Sequence, residues 1–196
     1  KRVRPTIQEL IEDPDSALPH ALRPALADAA DEIAQLERQL ANLETQIDTL
    51  ARSMPDVQLL MTIPGIGLIT ATALVASVGG VRRFPSGRHF ASSLGLTPRE
   101  HSSGLTRRLG AISKRGDTYI RMLLVHGARS VLWSAKKKTN PDPIQLWALE
   151  VERHRGHNKA AVALANKLAR IIWAVWKNQR PYERRSSAPT APTTDC

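Results

Sequence analysis

The tightest restriction on how this chain folds is a run of apolar residues at Leu22, Leu26, Ala29, Ile33, Leu36, Leu40, Leu43, Ile47 and Leu50. Their spacings alternate between four and three, so one narrow face of a helix carries them all, in the a/d pattern of a heptad sustained for four repeats. Asp, Glu, Gln, Asn and Arg fill the other faces, and neither Gly nor Pro interrupts after Pro24. A long helix follows, and so narrow a stripe calls for a coiled-coil partner. The alternative is a helix laid on its own domain.

The remainder reads as helical too. Pro5, Pro14 and Pro19 confine residues 1–20 to a linker with a short helix around Ile7, Leu10 and Ile11. The coiled-coil helix takes residues 21–55, and a compact domain residues 56–182. In that domain the pattern predicts a helix, an Ile63-Pro64-Gly65-Ile66-Gly67 turn and a second helix between Asp56 and Gly79. Short and long helices follow over Arg88–Leu94, Asp117–Ala135 and Lys159–Lys177, with a polar connection from Thr97 to Gly110 and a break at Pro141 and Pro143. Residues 183–196, rich in Ser, Ala, Pro and Thr, read as a disordered tail. No alternating run of strand length stands out, so the expected fold class is all-α.

Charge is split along the chain. Residues 1–58 hold 6 basic and 11 acidic side chains, residues 59–196 hold 22 and 7. A strongly positive half attracts polyanions, and nucleic acid is the expected partner. Cys196 stands alone at the end, which excludes a disulfide framework within one chain and suits a reducing cytoplasm. No apolar run of 18 residues exists, so no membrane association is expected. The chain opens on Lys1 and reads as a piece of a longer polypeptide.

The two glycines of the 63–67 turn permit a tight reversal, and the amides that open the following helix point outward, where such groups bind phosphate oxygens. Residues 59–79 resemble a helix-hairpin-helix motif, a clamp for the DNA backbone. More widely, LLMTIPGIG at 59–67, FPSGRHFASSLGLTPREHSSG at 84–104 and LGAISKRGDTYIRMLL at 109–124 resemble, in that order, the C-terminal domain of the insertion sequence one-ten family of transposases, relatives of the pilin-gene-inverting recombinase.

That resemblance implies a DNA transposase or site-specific recombinase whose nucleophile is a serine preceding a glycine in the loop after GLTP. The position is Ser103, next to Ser102. It implies DNA contacts at Ile63, Gly65, Ile66 and Gly67, and at Arg99, Arg107, Arg108, Lys114 and Arg115, which surround the serine loop in sequence. It implies a RuvC-like nuclease domain with a DEDD carboxylate set, absent from this chain, as the place where Mg2+ would sit. A bridge RNA, a homo-oligomer joined through the coiled coil and a cytoplasmic, nucleoid-associated location complete the implied picture. No cofactor or metal is expected on this chain: its seven acids after residue 58 lack ligand spacing, and His154 and His157 read as part of a solvated Arg/His cluster.

By composition alone, a serine in such a loop is a turn former. The order Arg121, His126-Gly127-Ala128-Arg129, Tyr182 faintly echoes tyrosine recombinases and ranks below the serine. Trp133, Trp147, Trp173 and Trp176 offer base-stacking surfaces, although the spacing of Trp173 and Trp176 favours core packing. The competing reading is a binding module without chemistry, a helix-hairpin-helix domain on an oligomerising stalk. A degenerate transposase remnant is the third.

Overall fold

A computed structural model describes residues 3–101, 103, 106 and 108–183. The chain divides into two compact units, residues 1–50 and 51–196. Helix α1 covers Val3–Glu12, with Pro5 in the first turn, where no N–H is required. After a 3-10 turn at His20–Leu22, helix α2 runs for 30 residues from Arg23 to Arg52. In the first unit the Arg23 guanidinium donates to the carbonyls of Ile11 (3.0 Å) and Asp13 (2.9 Å), fastening the α1–α2 connection to the start of α2. Along α2 the covered face is Arg23, Leu26, Ala27, Ala30 and Ala34, at helical spacing. The heptad residues Ile33, Leu36, Leu40 and Leu43 are exposed, Leu40 to 59%.

The second unit comprises α3 (Pro55–Met61), α4 (Leu68–Val78), α5 (Gly87–Ser93), strands β1 (Pro98–Glu100) and β2 (Leu109–Ile112), α6 (Thr118–Lys137), α7 (Pro143–Arg155) and α8 (His157–Asn178). Helix α8 is its axis: α3, α5, α6 and α7 all pack on it. Its Leu164, Leu168 and Ile172 are fully buried, each contributing about 1.5–3 kcal/mol by leaving water. Alanines at 160, 161, 165 and 169 let neighbours approach between them.

The architecture is mostly helical, and capping chemistry explains the boundaries. Asp117 accepts the Ile120 N–H at 3.0 Å and starts α6. Pro143, read from sequence as part of a break, instead opens α7: Asp142 and Gln145 form a capping box, and a proline in the first turn forfeits no helical hydrogen bond. Residues 97–110, read as a polar connection, carry an antiparallel hairpin in which Pro98 pairs with Ile112 and Glu100 with Leu109, with a register shift between the pairs. Both strands are almost wholly exposed, so no alternation of apolar and polar residues announces them. Apart from Glu183, the predicted tail lies outside the described residues.

Candidate nucleic-acid interface

Beyond β1 and β2 the hairpin continues to Ser103. The His101 N–H donates to the Arg108 carbonyl at 2.8 Å. Next, Ser103 N–H donates to the Thr106 carbonyl (3.2 Å) and Thr106 N–H to the Ser103 carbonyl (3.1 Å), an isolated bridge. Ser103 therefore sits at the hairpin tip, exposed, its backbone anchored in both directions. Ser102 and Arg107 lie outside the described residues.

The base of the arm is tied to the helical body. The Ser113 N–H donates to Thr97 O (2.8 Å) and the Lys114 N–H to Gly95 O (3.1 Å). Gly95 has φ +69°, and a Cβ there would lie 2.6 Å from the Arg115 nitrogen, so glycine is required for this crossing. Arg99 donates to the Ser113 carbonyl at 3.3 Å, and Arg115 N–H to Ser113 Oγ at 3.4 Å. Arg99, Lys114 and Arg115 thus gather at the exposed base of the arm, and Arg108 stands on its outer part.

The 62–67 turn is placed differently from what the sequence reading of DNA-contacting residues implies for side chains. Ile63 and Ile66 are 1% and 4% exposed and belong to the core, so they support the turn from within. Gly65, at φ +82°, lies against Gly127 of α6. Gly67 is exposed and caps α4 with no side-chain hydrogen bond; the first turn of α4 presents its amides there.

Of the tyrosine-recombinase residues, Arg129 donates to Asn158 Oδ1 at 3.4 Å and the Tyr182 N–H donates to Thr62 Oγ1 at 2.9 Å. Arg121 is spent on the Leu94 carbonyl (3.0 Å) and Thr118 Oγ1 (3.0 Å), and His126 is exposed on α6. Trp176 is buried, and Trp173 donates from Nε1 to Phe84 O at 3.0 Å, both structural. Trp133 is 62% exposed, with the Lys137 ammonium 3.5 Å from its ring centre. His154 bonds Glu150 (2.7 Å) and His157 bonds Glu152 (2.7 Å). Among the described residues, no three His, Cys, Asp or Glu side chains gather to hold a metal ion. No described helix is long and apolar enough to cross a membrane.

Residues 57–142 match the family model described as Transposase IS116/IS110/IS902 family. This segment is similar to the transposase domain of that family. It begins inside α3 and includes the turn, the Ser103 hairpin and α6, whereas α8, on which these elements pack, lies beyond it. The chain is similar to a probable family 20 transposase of Pseudomonas aeruginosa, 46% identical over 165 residues, covering 84% of this chain and 48% of that protein. It is 41% identical over 151 residues to the transposase for insertion sequence element IS1111A of Coxiella burnetii, covering 77% and 41%. To the pilin gene-inverting protein of Moraxella bovis it is 30% identical over 162 residues, covering 79% and 48%. The chain thus spans less than half the length of these relatives.

Around the matched segment the structure also gathers cations that the sequence does not single out: Arg88 on α5 and Lys159, Lys167 and Arg170 on α8, all lining one groove. The one sequence signal for the three on α8 is their helical spacing on the face opposite its buried leucines.

Proposed function

We propose that this chain is the serine-bearing, DNA-contacting part of a DNA transposase or site-specific recombinase that moves an insertion sequence. The observation that carries the reading is the similarity to transposases over most of the chain, joined to an exposed Ser103 at the tip of an anchored arm. In this reading Ser103 Oγ attacks a backbone phosphorus, the P–O bond to a deoxyribose oxygen breaks, and that oxygen leaves as a hydroxyl with the serine proton. The phosphoserine link conserves the bond energy for rejoining. Arg99, Arg107, Arg108, Lys114 and Arg115 hold the strand and offset charge developing at phosphorus.

The 59–79 segment acts as a helix-hairpin-helix clamp: amides around Gly65 and Gly67 meet phosphate oxygens, and Ile63 and Ile66 keep the turn rigid. Carboxylates that would hold Mg2+ belong to a nuclease domain elsewhere in the full-length protein, and a guide RNA selects the sites by base pairing. The leucine seam of α2 pairs copies of the chain.

Denaturing gels test the chemistry. Full-length protein incubated with its cognate DNA should yield a covalent protein–DNA adduct, and Ser103→Ala should abolish it while DNA binding persists. An adduct that forms undiminished in the alanine variant removes Ser103 as nucleophile. Binding with no adduct in either protein leaves the non-catalytic module.

A further inference from the structure

Between the hairpin and α8 lies a groove of about 1640 Å³. That exceeds the roughly 300–1,000 Å³ of small-molecule sites, so it has room for a stretch of polymer. Its hairpin wall is Pro98, Leu109 and Ile112, Trp147 of α7 lines another side, and α8 contributes residues from Asn158 to Ala174, about 24 Å of helix. The surface is largely apolar. Every charged residue among its described lining is a cation: Arg88, Lys159, Lys167 and Arg170. Glu100 enters only a smaller recess alongside, shared with Arg88 and Arg170.

Lys167 is the informative member. Its ammonium lies 3.9 Å from the centre of the Trp147 ring, half-buried. Burial first, and then the neighbouring Arg170, push its pKa below the usual lysine value. Two like charges, one partly stripped of water, gain most from an incoming anion.

We infer that this groove seats a short single-stranded segment of DNA, with phosphates on Lys159, Lys167, Arg170 and Arg88 and unstacked bases against the apolar floor. The inference rests on the DNA-handling reading above but not on Ser103 chemistry. A duplex hides the faces of its bases and would leave the apolar floor unused, whereas an unpaired strand offers both phosphates and π-faces. The α8 cations follow one another over about 16 Å of helix, long enough to meet several phosphates of one strand. An acidic amphipathic helix shares this chemistry in part, but calls for cations ringing an apolar slot more than for a file of them along it. The floor offers few polar groups to read a 2′-hydroxyl, which favours DNA over RNA.

The test uses the 196-residue chain carrying Ser103→Ala, so that the fate of the nucleophile is kept apart. A fluorescent 12-nucleotide single strand, its duplex and the same sequence as RNA are titrated by anisotropy over a salt series. Lys159→Gln and Arg170→Gln lie on exposed positions, and circular dichroism verifies that the double variant is folded. The expected result is tighter binding of single-stranded DNA than of duplex or RNA, with affinity falling about tenfold in the double variant and the salt slope reduced by about 1.4. Trp147→Ala should weaken single-strand binding and leave duplex binding unchanged. Equal affinity of wild type and groove variants for the single strand overturns the inference while leaving DNA binding intact. A preference for duplex or RNA, or groove variants that lose only an acidic amphipathic peptide, overturns it too. Failure to bind any nucleic acid overturns it together with the DNA-handling reading.

Discussion

Gly65 and Gly127 bring the 62–67 turn and helix α6 together backbone to backbone: a Cβ on Gly65 would lie 2.7 Å from the Gly127 carbonyl oxygen and 2.7 Å from Val131 Cγ2. A Cβ on Gly127 would in turn meet the Gly65 carbonyl oxygen. The turn therefore owes its position to two absent side chains.

Gly127→Ala should force these segments apart and cost about 1–3 kcal/mol, the range for overpacking a close-packed site. Urea denaturation gives the number. A midpoint shift within error of wild type would show that the contact is not tight.

Gly67→Asp separates stability from binding. The position has φ −95°, which any residue adopts, and nothing lies within 4 Å of a Cβ there. An aspartate should cap α4 and raise stability by about 0.5–1 kcal/mol, while its charge repels phosphate from the same amides. Thermal melts should therefore rise as duplex affinity falls, and affinity that does not fall would argue that the turn is not a phosphate site.

Glu152 links three helices: Lys136 of α6 approaches it at 2.8 Å and His157 of α8 at 2.7 Å. The hydrogen bond from Lys136, and after it that from His157, hold its carboxyl below the ordinary 4.5 despite partial burial. A depressed carboxyl contributes stability that is complete above its unfolded value and lost as pH falls through its folded one. Stability should decline below pH 4.5, and Glu152→Gln, costing about 0.5–1 kcal/mol at neutral pH, should flatten that decline. Denaturation midpoints at pH 7 and pH 3 test this. Glu150, held at about 2 by Arg153 and then His154, lies fully on the surface and should matter little.

Leu40→Glu addresses the seam. Leu40 is 59% exposed in the single chain, so its replacement should leave the melting of an isolated copy nearly unchanged. If α2 pairs between copies, sedimentation of the variant should shift from oligomer to monomer at the concentration where wild type associates. Identical sedimentation profiles would count against pairing through this face.

Helices with a strong period or a cap were legible in the sequence. The heptad spacing predicts α2, Asp117 marks the start of α6, and the apolar face from Val162 to Trp176 marks α8. Pro143 misled because the same residue that stops a helix in its interior suits its first turn. The hairpin escaped because, with both faces exposed, its residues carry no binary pattern. At the candidate site, the serine and the cations around it were named from motif order. The groove cations were not, because Arg88 lies some 70 to 80 residues from Lys159 and Arg170, and only packing makes them neighbours.

Local rules of spacing, capping and turn chemistry act over a few residues, so the chain's helical character, its basic half and its glycine turns are written into the sequence. Which atoms those turns present was settled by tertiary packing. Ile63 and Ile66 face inward because the core behind them removes apolar surface from water, and Ser103 stays exposed because it lies at the far end of a hairpin tied to the helical body only at its base. Burial depends on what lies across the interface, and no single stretch of sequence contains both sides.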